Sequence, residues 1–224
     1  MKRVILFLFV YLFSFSAIAD NYLKLYFYPS PRPYNWSTPN SLARSAVRST
    51  FAPTRFKYRH SLGHVSVELH CEGPDNGVFN DFTGMTTKLK NEDMDLLFKE
   101  KIGLGVLFYP MQGKLQSMME VLDDIDDRIG GSRINWLKYL INDSTCARLK
   151  EYLEIYRLEN LDSIYGLVFN PRKKEGAGCS AFGMSFLDLA GIMRDEFKLR
   201  WAKKIYIPDH LNGFNGSVDE ISFF

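Results

Sequence analysis

The stretch Gly176-Ala177-Gly178-Cys179-Ser180-Ala181-Phe182-Gly183 sets a cysteine where a glycine-rich loop gives way to small and apolar residues. A helix start leaves backbone N–H groups unpaired and carries partial positive charge, and both stabilise a thiolate over a thiol. Cys179 is therefore placed for nucleophilic acyl transfer. Ala181, Phe182, Met184, Phe186, Leu187 and Leu189 predict a largely buried helix from Cys179 to about Met193. The plainer counterpart is a small core residue packed beside glycines, because free cysteine is among the most buried types.

A thiolate needs a base, and the chain holds four histidines, His60, His64, His70 and His210. His64 follows Gly63 at the start of an alternating run in which Val65, Val67 and Leu69 take one face and His64, Ser66, Glu68 and His70 the other. This is strand spacing. The preceding glycine allows another backbone to come close. An imidazole titrates near neutrality, so His64 can take the thiol proton and return it to a leaving group.

Lys2-Arg3, an apolar run from Val4 to Ile18 and Ala17-Ile18-Ala19 before Asp20 read as a secretory signal peptide over residues 1–19. The expected site of action is the periplasm or the secreted fraction, with no stable membrane insertion after cleavage. Cleavage removes two of the 28 basic residues and balances the remainder against 26 acidic ones, so charge gives no affinity for nucleic acid. Residues 20–224 suit one domain. Export permits disulfides, and of Cys71, Cys146 and Cys179 one must be left over. The simplest pairing is Cys71 with Cys146, leaving Cys179 free; pairing of Cys179 with either of the others would remove the enzymatic reading.

Four apolar runs stop at proline: Leu23 to Tyr28, Val106 to Tyr109, Leu167 to Asn170 and Ile205 to Ile207. Proline lacks the N–H of a ladder, so each is expected to be a strand leaving a sheet. Leu62 to Cys71 and Gly77 to Phe82 add a strand pair. Helices are expected over 91–99, over 115–129 with Leu115, Met118, Met119, Leu122, Ile125 and Ile129 inward, over 134–140, and over 145–159 behind Asn142-Asp143-Ser144. Pro29 to Pro53 reads as a long surface loop with a short helix near 41–48. The fold class is α+β, a mostly antiparallel sheet packed against helices.

Gly63-His64-Val65-Ser66-Val67-Glu68-Leu69 and, later, Gly178-Cys179-Ser180-Ala181-Phe182 resemble the circularly permuted papain-like superfamily, relatives of the NlpC/P60 amidases. In ordinary papain-like enzymes the cysteine helix comes first. In the permuted group the histidine strand precedes it, as here. The resemblance covers residues 60–85 and 160–210, while the middle helices match nothing in it. It implies a thiol hydrolase, an amidase or peptidase, in which Cys179 attacks an amide or ester carbonyl, His64 carries the proton and backbone N–H groups at the helix start, including that of Cys179, hold the oxyanion. The superfamily's third polar residue falls on Asn80 of Gly77-Val78-Phe79-Asn80-Asp81-Phe82, where many members have glutamate or histidine. Asparagine can still accept from the imidazole N–H, with Asp81 as the fallback.

Neither cofactor nor metal is expected. Asp123, Asp124, Asp126 and Asp127 lack the spacing of a calcium loop and read as a solvated helix face. Asp209-His210 could line a cleft. The expected substrate is a peptide or other amide, cell-wall stem peptides suiting a periplasmic site. Lipid or ester acyl groups and a non-catalytic binding module of the same fold stand as alternatives.

Overall fold

The computed structural model describes residues 20–52, 60, 62–73, 77–89, 92, 95, 96, 99, 103–131, 133–201, 204–212, 221 and 222; the signal-peptide assignment, residues 1–19, lies outside these. Strands β1 (Tyr22–Tyr28), β2 (His64–Glu72), β3 (Val78–Thr83) and β6 (Asn135–Leu140) form an antiparallel sheet in the order β3-β2-β1-β6. A second antiparallel sheet joins β4 (Met85–Thr87), β5 (Met111–Leu115) and β7 (Ile164–Tyr165) in the order β4-β5-β7. Helices described along their length include α1 (Pro39–Thr50), α2 (Met118–Ile129), α3 (Asp143–Leu158), α4 (Cys179–Leu189), α5 (Asp195–Trp201) and α6 (Asp209–Asn212), and β8 (Lys204–Ile205) pairs with β9 (Ile221–Ser222). The class is α+β, with antiparallel sheets packed against helices.

Both faces of β2 are buried, for different reasons. Val65, Val67 and Leu69 join Leu23 and Leu25 of β1 in a core closed by Leu149, Leu153 and Tyr156 of α3 and by Phe182 and Phe186 of α4. The opposite face, polar in sequence, is covered by α2, whose Val121 and Ile125 pack with Tyr26 and Tyr28. Ser66 and Glu68 are thereby buried. The Glu68 carboxylate accepts hydrogen bonds from the Tyr22 and Tyr26 hydroxyls at 2.6 and 2.5 Å, which offsets the cost of burying a charge.

Two glycines set the approach of the elements that matter most. Gly63 has φ +85°, and a Cβ there would stand 2.8 Å from the Tyr28 carbonyl oxygen, so only glycine lets the chain enter β2 beside the end of β1. Gly183 lies where a Cβ would meet Val65 Cγ1 at 2.5 Å, so its absence brings α4 against β2. The Cys71–Cys146 disulfide ties β2 to the first turn of α3, and Cys179 is free.

Several expected elements differ. Residues 134–140 are not a helix: β6 pairs along β1 from Tyr22↔Leu140 to Phe27↔Asn135 and covers its second edge, a tertiary gain that outweighs local helical spacing. The run ending at Pro110 is a 3-10 turn, Gly103–Leu107, that buries Leu104 and Leu107 at its own spacing of three, and the strand begins after the proline. The run before Pro171 is turns, the strand lying earlier at Ile164–Tyr165. On α2 the inward stripe is Val121, Asp124, Ile125 and Arg128; Met118, Met119 and Ile129 are exposed. The expected helix at 91–99 falls mostly outside the described residues.

Candidate active site

Cys179 is the first residue of α4, and Gly178 before it caps the helix without a side chain. The first N–H groups of the helix are thus left for a ligand or for developing negative charge. Three groups address the sulfur. His64, the first residue of β2, lies close enough for ring and sulfur each to favour the other's charged form. The Tyr165 hydroxyl donates to Sγ at 3.7 Å, and the Val65 backbone N–H also favours the thiolate. Burial by itself raises the thiol's pKa, but His64, Tyr165 and Val65 more than offset this and bring it to about 7, against 9.0 for a free thiol. For His64, burial disfavours the charged ring, yet the Cys179 thiolate, with Gln116 and Asp124, raises its pKa overall. The pair favours thiolate and imidazolium together.

Beyond the histidine runs a buried polar chain. His64 Nε2 lies 2.6 Å from Gln116 Oε1, which also accepts from the Ser66 hydroxyl at 3.3 Å. Gln116 Nε2 donates to Asp124 Oδ2 at 2.8 Å. Only the NH2 of an amide can donate to a carboxylate, so Asp124 fixes which way the Gln116 amide points. Its oxygen then faces His64, which must carry a proton on Nε2, and this leaves Nδ1 as the ring nitrogen available for proton exchange with the thiol. Burial opposes ionisation of Asp124, but His60, His64 and Gln116 outweigh it and hold its pKa below the usual carboxylate value. Gly84 leaves room for this contact: a Cβ there would stand 2.6 Å from Gln116 Oε1 and 3.1 Å from His64 Nε2.

The ring of His60 stacks on that of His64 at 3.8 Å between centroids and 6° between planes, and its Nε2 bonds Asp124 Oδ2 at 2.9 Å. Burial and the neighbouring His64 push its pKa down to about 4 despite Asp124, so at neutral pH His60 is an uncharged plate beside the reactive ring. His60, His64 and Asp124 offer donor atoms within 4.8 Å of one another, a spacing that could hold a metal ion. Imidazole lone pairs lie in the ring plane, however. Two rings stacked face to face aim them side by side, and the described contacts already engage both Nε2 atoms, so the arrangement fits a hydrogen-bonded relay better than an ion.

Asn80 does not join the site. It pairs with His70 across β2 and β3, six residues along the strand from His64, or about 20 Å at the usual rise. Asp81 lies opposite Leu69 and binds Arg157 at 2.6 and 3.1 Å. Gln116, the residue after β5, occupies the orienting position instead. Asp124, read from the sequence as part of a solvated face, is the buried member of its cluster, while Asp123, Asp126 and Asp127 are exposed. Its signal was its place on the stripe Val121, Asp124, Ile125, Arg128 at i, i+3, i+4 and i+7. Gln116 carried no such signal.

Cys179 and His64 open on a cavity of about 1150 Å³ whose wall includes α1, the Gly103–Leu107 turn and His210. No family model, curated protein or solved structure matches the chain.

Proposed function

We propose that the protein is an exported thiol hydrolase that acts through a Cys179 thioester, with the permuted papain-like order of histidine strand before cysteine helix. The observation that carries the reading is the buried Cys179–His64 pair at an uncapped helix start, with the thiol's pKa lowered. In the reaction, thiolate Sγ attacks the carbonyl carbon of an amide or ester, and the helix-start N–H groups receive the oxyanion. His64 Nδ1 then gives its proton to the departing amine or alcohol as the C–N or C–O bond breaks. Water attacks the thioester, losing its proton to His64, and the acid and thiolate are released. Gln116, backed by Asp124, holds the ring in the tautomer that each transfer requires.

Labelling the native, non-reduced protein with iodoacetamide at mildly acidic pH tests this. A single adduct on Cys179, formed much more slowly in His64→Ala, is expected. A native thiol that resists labelling, or one that reacts equally fast without His64, would remove the basis of the proposal.

A further inference from the structure

The cavity beside Cys179 is large for a ligand site, since ordinary small-molecule pockets hold about 300–1,000 Å³. Its chemistry is one-sided. Among the described residues none of its lining side chains is Asp, Glu, Lys or Arg, and the wall is built mainly from aliphatic and aromatic groups such as Leu42, Leu104, Leu107, Val106 and Leu167. A cell-wall stem peptide carries carboxylates and amines, and burying such charges unpaired is strongly unfavourable. An uncharged hydrocarbon chain meets no such penalty. Around the opening, Val47, Phe51, Leu62, Trp136 and Leu137 line the same space and remain exposed. An apolar rim continuous with an apolar interior is what a chain leaving an amphiphile would cross.

We propose that the acyl group transferred to Cys179 is a long hydrocarbon acyl chain, ester- or amide-linked in an amphiphilic donor, and that the chain lies in this cavity with its carbonyl at the sulfur. This rests on Cys179 being the nucleophile. The thioester forms as Sγ–C replaces the C–O or C–N bond of the donor. The alcohol or amine leaves with the His64 proton, and water then yields the fatty acid. Polar headgroups stay outside the rim, so the acyl portion, and not the headgroup, is what the site reads.

The test uses 4-methylumbelliferyl acetate, butyrate, octanoate and dodecanoate below their aggregation limits, with kcat/KM measured for each. Burial of a methylene predicts a rise of up to about fourfold per added CH2 until the cavity fills. Ala46→Trp, which places a bulky ring on the cavity wall, should collapse the ratio of dodecanoyl to butyryl turnover. Turnover that is flat or falls with chain length, with Cys179 still acylated, overturns the acyl-chain assignment and leaves the thiol hydrolase standing. A second arm needs no chemistry: Cys179→Ala is titrated with the fluorescent fatty acid cis-parinaric acid. Saturable binding displaced by dodecanoate but not by a charged stem peptide supports the assignment even if no ester is turned over, and absence of binding overturns it.

Discussion

Replacing Gln116 by Leu probes the step from geometry to reactivity most sharply. Leu keeps most of the buried volume but removes both the oxygen 2.6 Å from His64 Nε2 and the NH2 that Asp124 holds at 2.8 Å. Hydrogen bonds to charged groups contribute about 1.5–3 kcal/mol, which at 1.36 kcal/mol per decade converts to a loss of roughly 10- to 150-fold in kcat/KM. The sign on the thiol follows from the coupling. The Gln116 bond is one of the interactions that raise the His64 pKa, so its removal lowers that pKa, less imidazolium faces the sulfur, and the Cys179 pKa moves up from about 7. The assay is the pH dependence of iodoacetamide alkylation in native protein, with adduct mass mapped to Cys179. The midpoint should shift upward and the rate below it fall. Asp124 and Ser66 also lose a partner, at about 1–3 kcal/mol per orphaned buried group, so the profile is taken well below the thermal midpoint. An unchanged midpoint together with kcat/KM within about twofold of wild type would refute the claim that Gln116 orients His64.

Gly84→Ala should approach the same phenotype without touching a polar group, because its Cβ would displace Gln116 Oε1 from 2.6 Å; a wild-type alkylation profile would show that the side chain has room to give. Thermal stability should fall as pH drops from 6.5 towards 4, since the unfolded chain protonates His60 where the folded chain, with a pKa of about 4, does not. The full span is worth up to about 3 kcal/mol, and His60→Phe should flatten that part of the Tm profile. Removing the Cys71–Cys146 disulfide as a double alanine variant should cost about 4 kcal/mol, from the 75-residue separation of its ends, read by urea unfolding, while Cys179 alkylation keeps its rate.

The parts of the site written in contiguous residues were legible. Glycine, histidine and an alternating strand, and later glycine, cysteine and a buried helix, each announce their geometry locally. The Cys71–Cys146 disulfide is the simplest of the pairings the three cysteines left open. Asn80 was misplaced because strand pairing sets its depth: with Val67 opposite Thr83 and His70 opposite Asn80, β3 runs away from His64 as read back from its end. Gln116, just past β5, and Asp124 of α2 come more than 50 residues after His64, and only tertiary packing reveals that the first meets it and the second holds the first. Residues 134–140 show the same limit, since what makes them a strand is the open edge of β1. The cavity was invisible because α1, read as part of a surface loop, turns out to be one of its walls.

Whether Cys179 carries the acyl group is read by rapid-quench mass spectrometry with 4-methylumbelliferyl dodecanoate. A burst of fluorophore is expected, matched by an acyl adduct on the peptide containing Cys179, discharged by neutral hydroxylamine and absent from Cys179→Ala. An adduct mapped elsewhere, or equal turnover by Cys179→Ala, would contradict it.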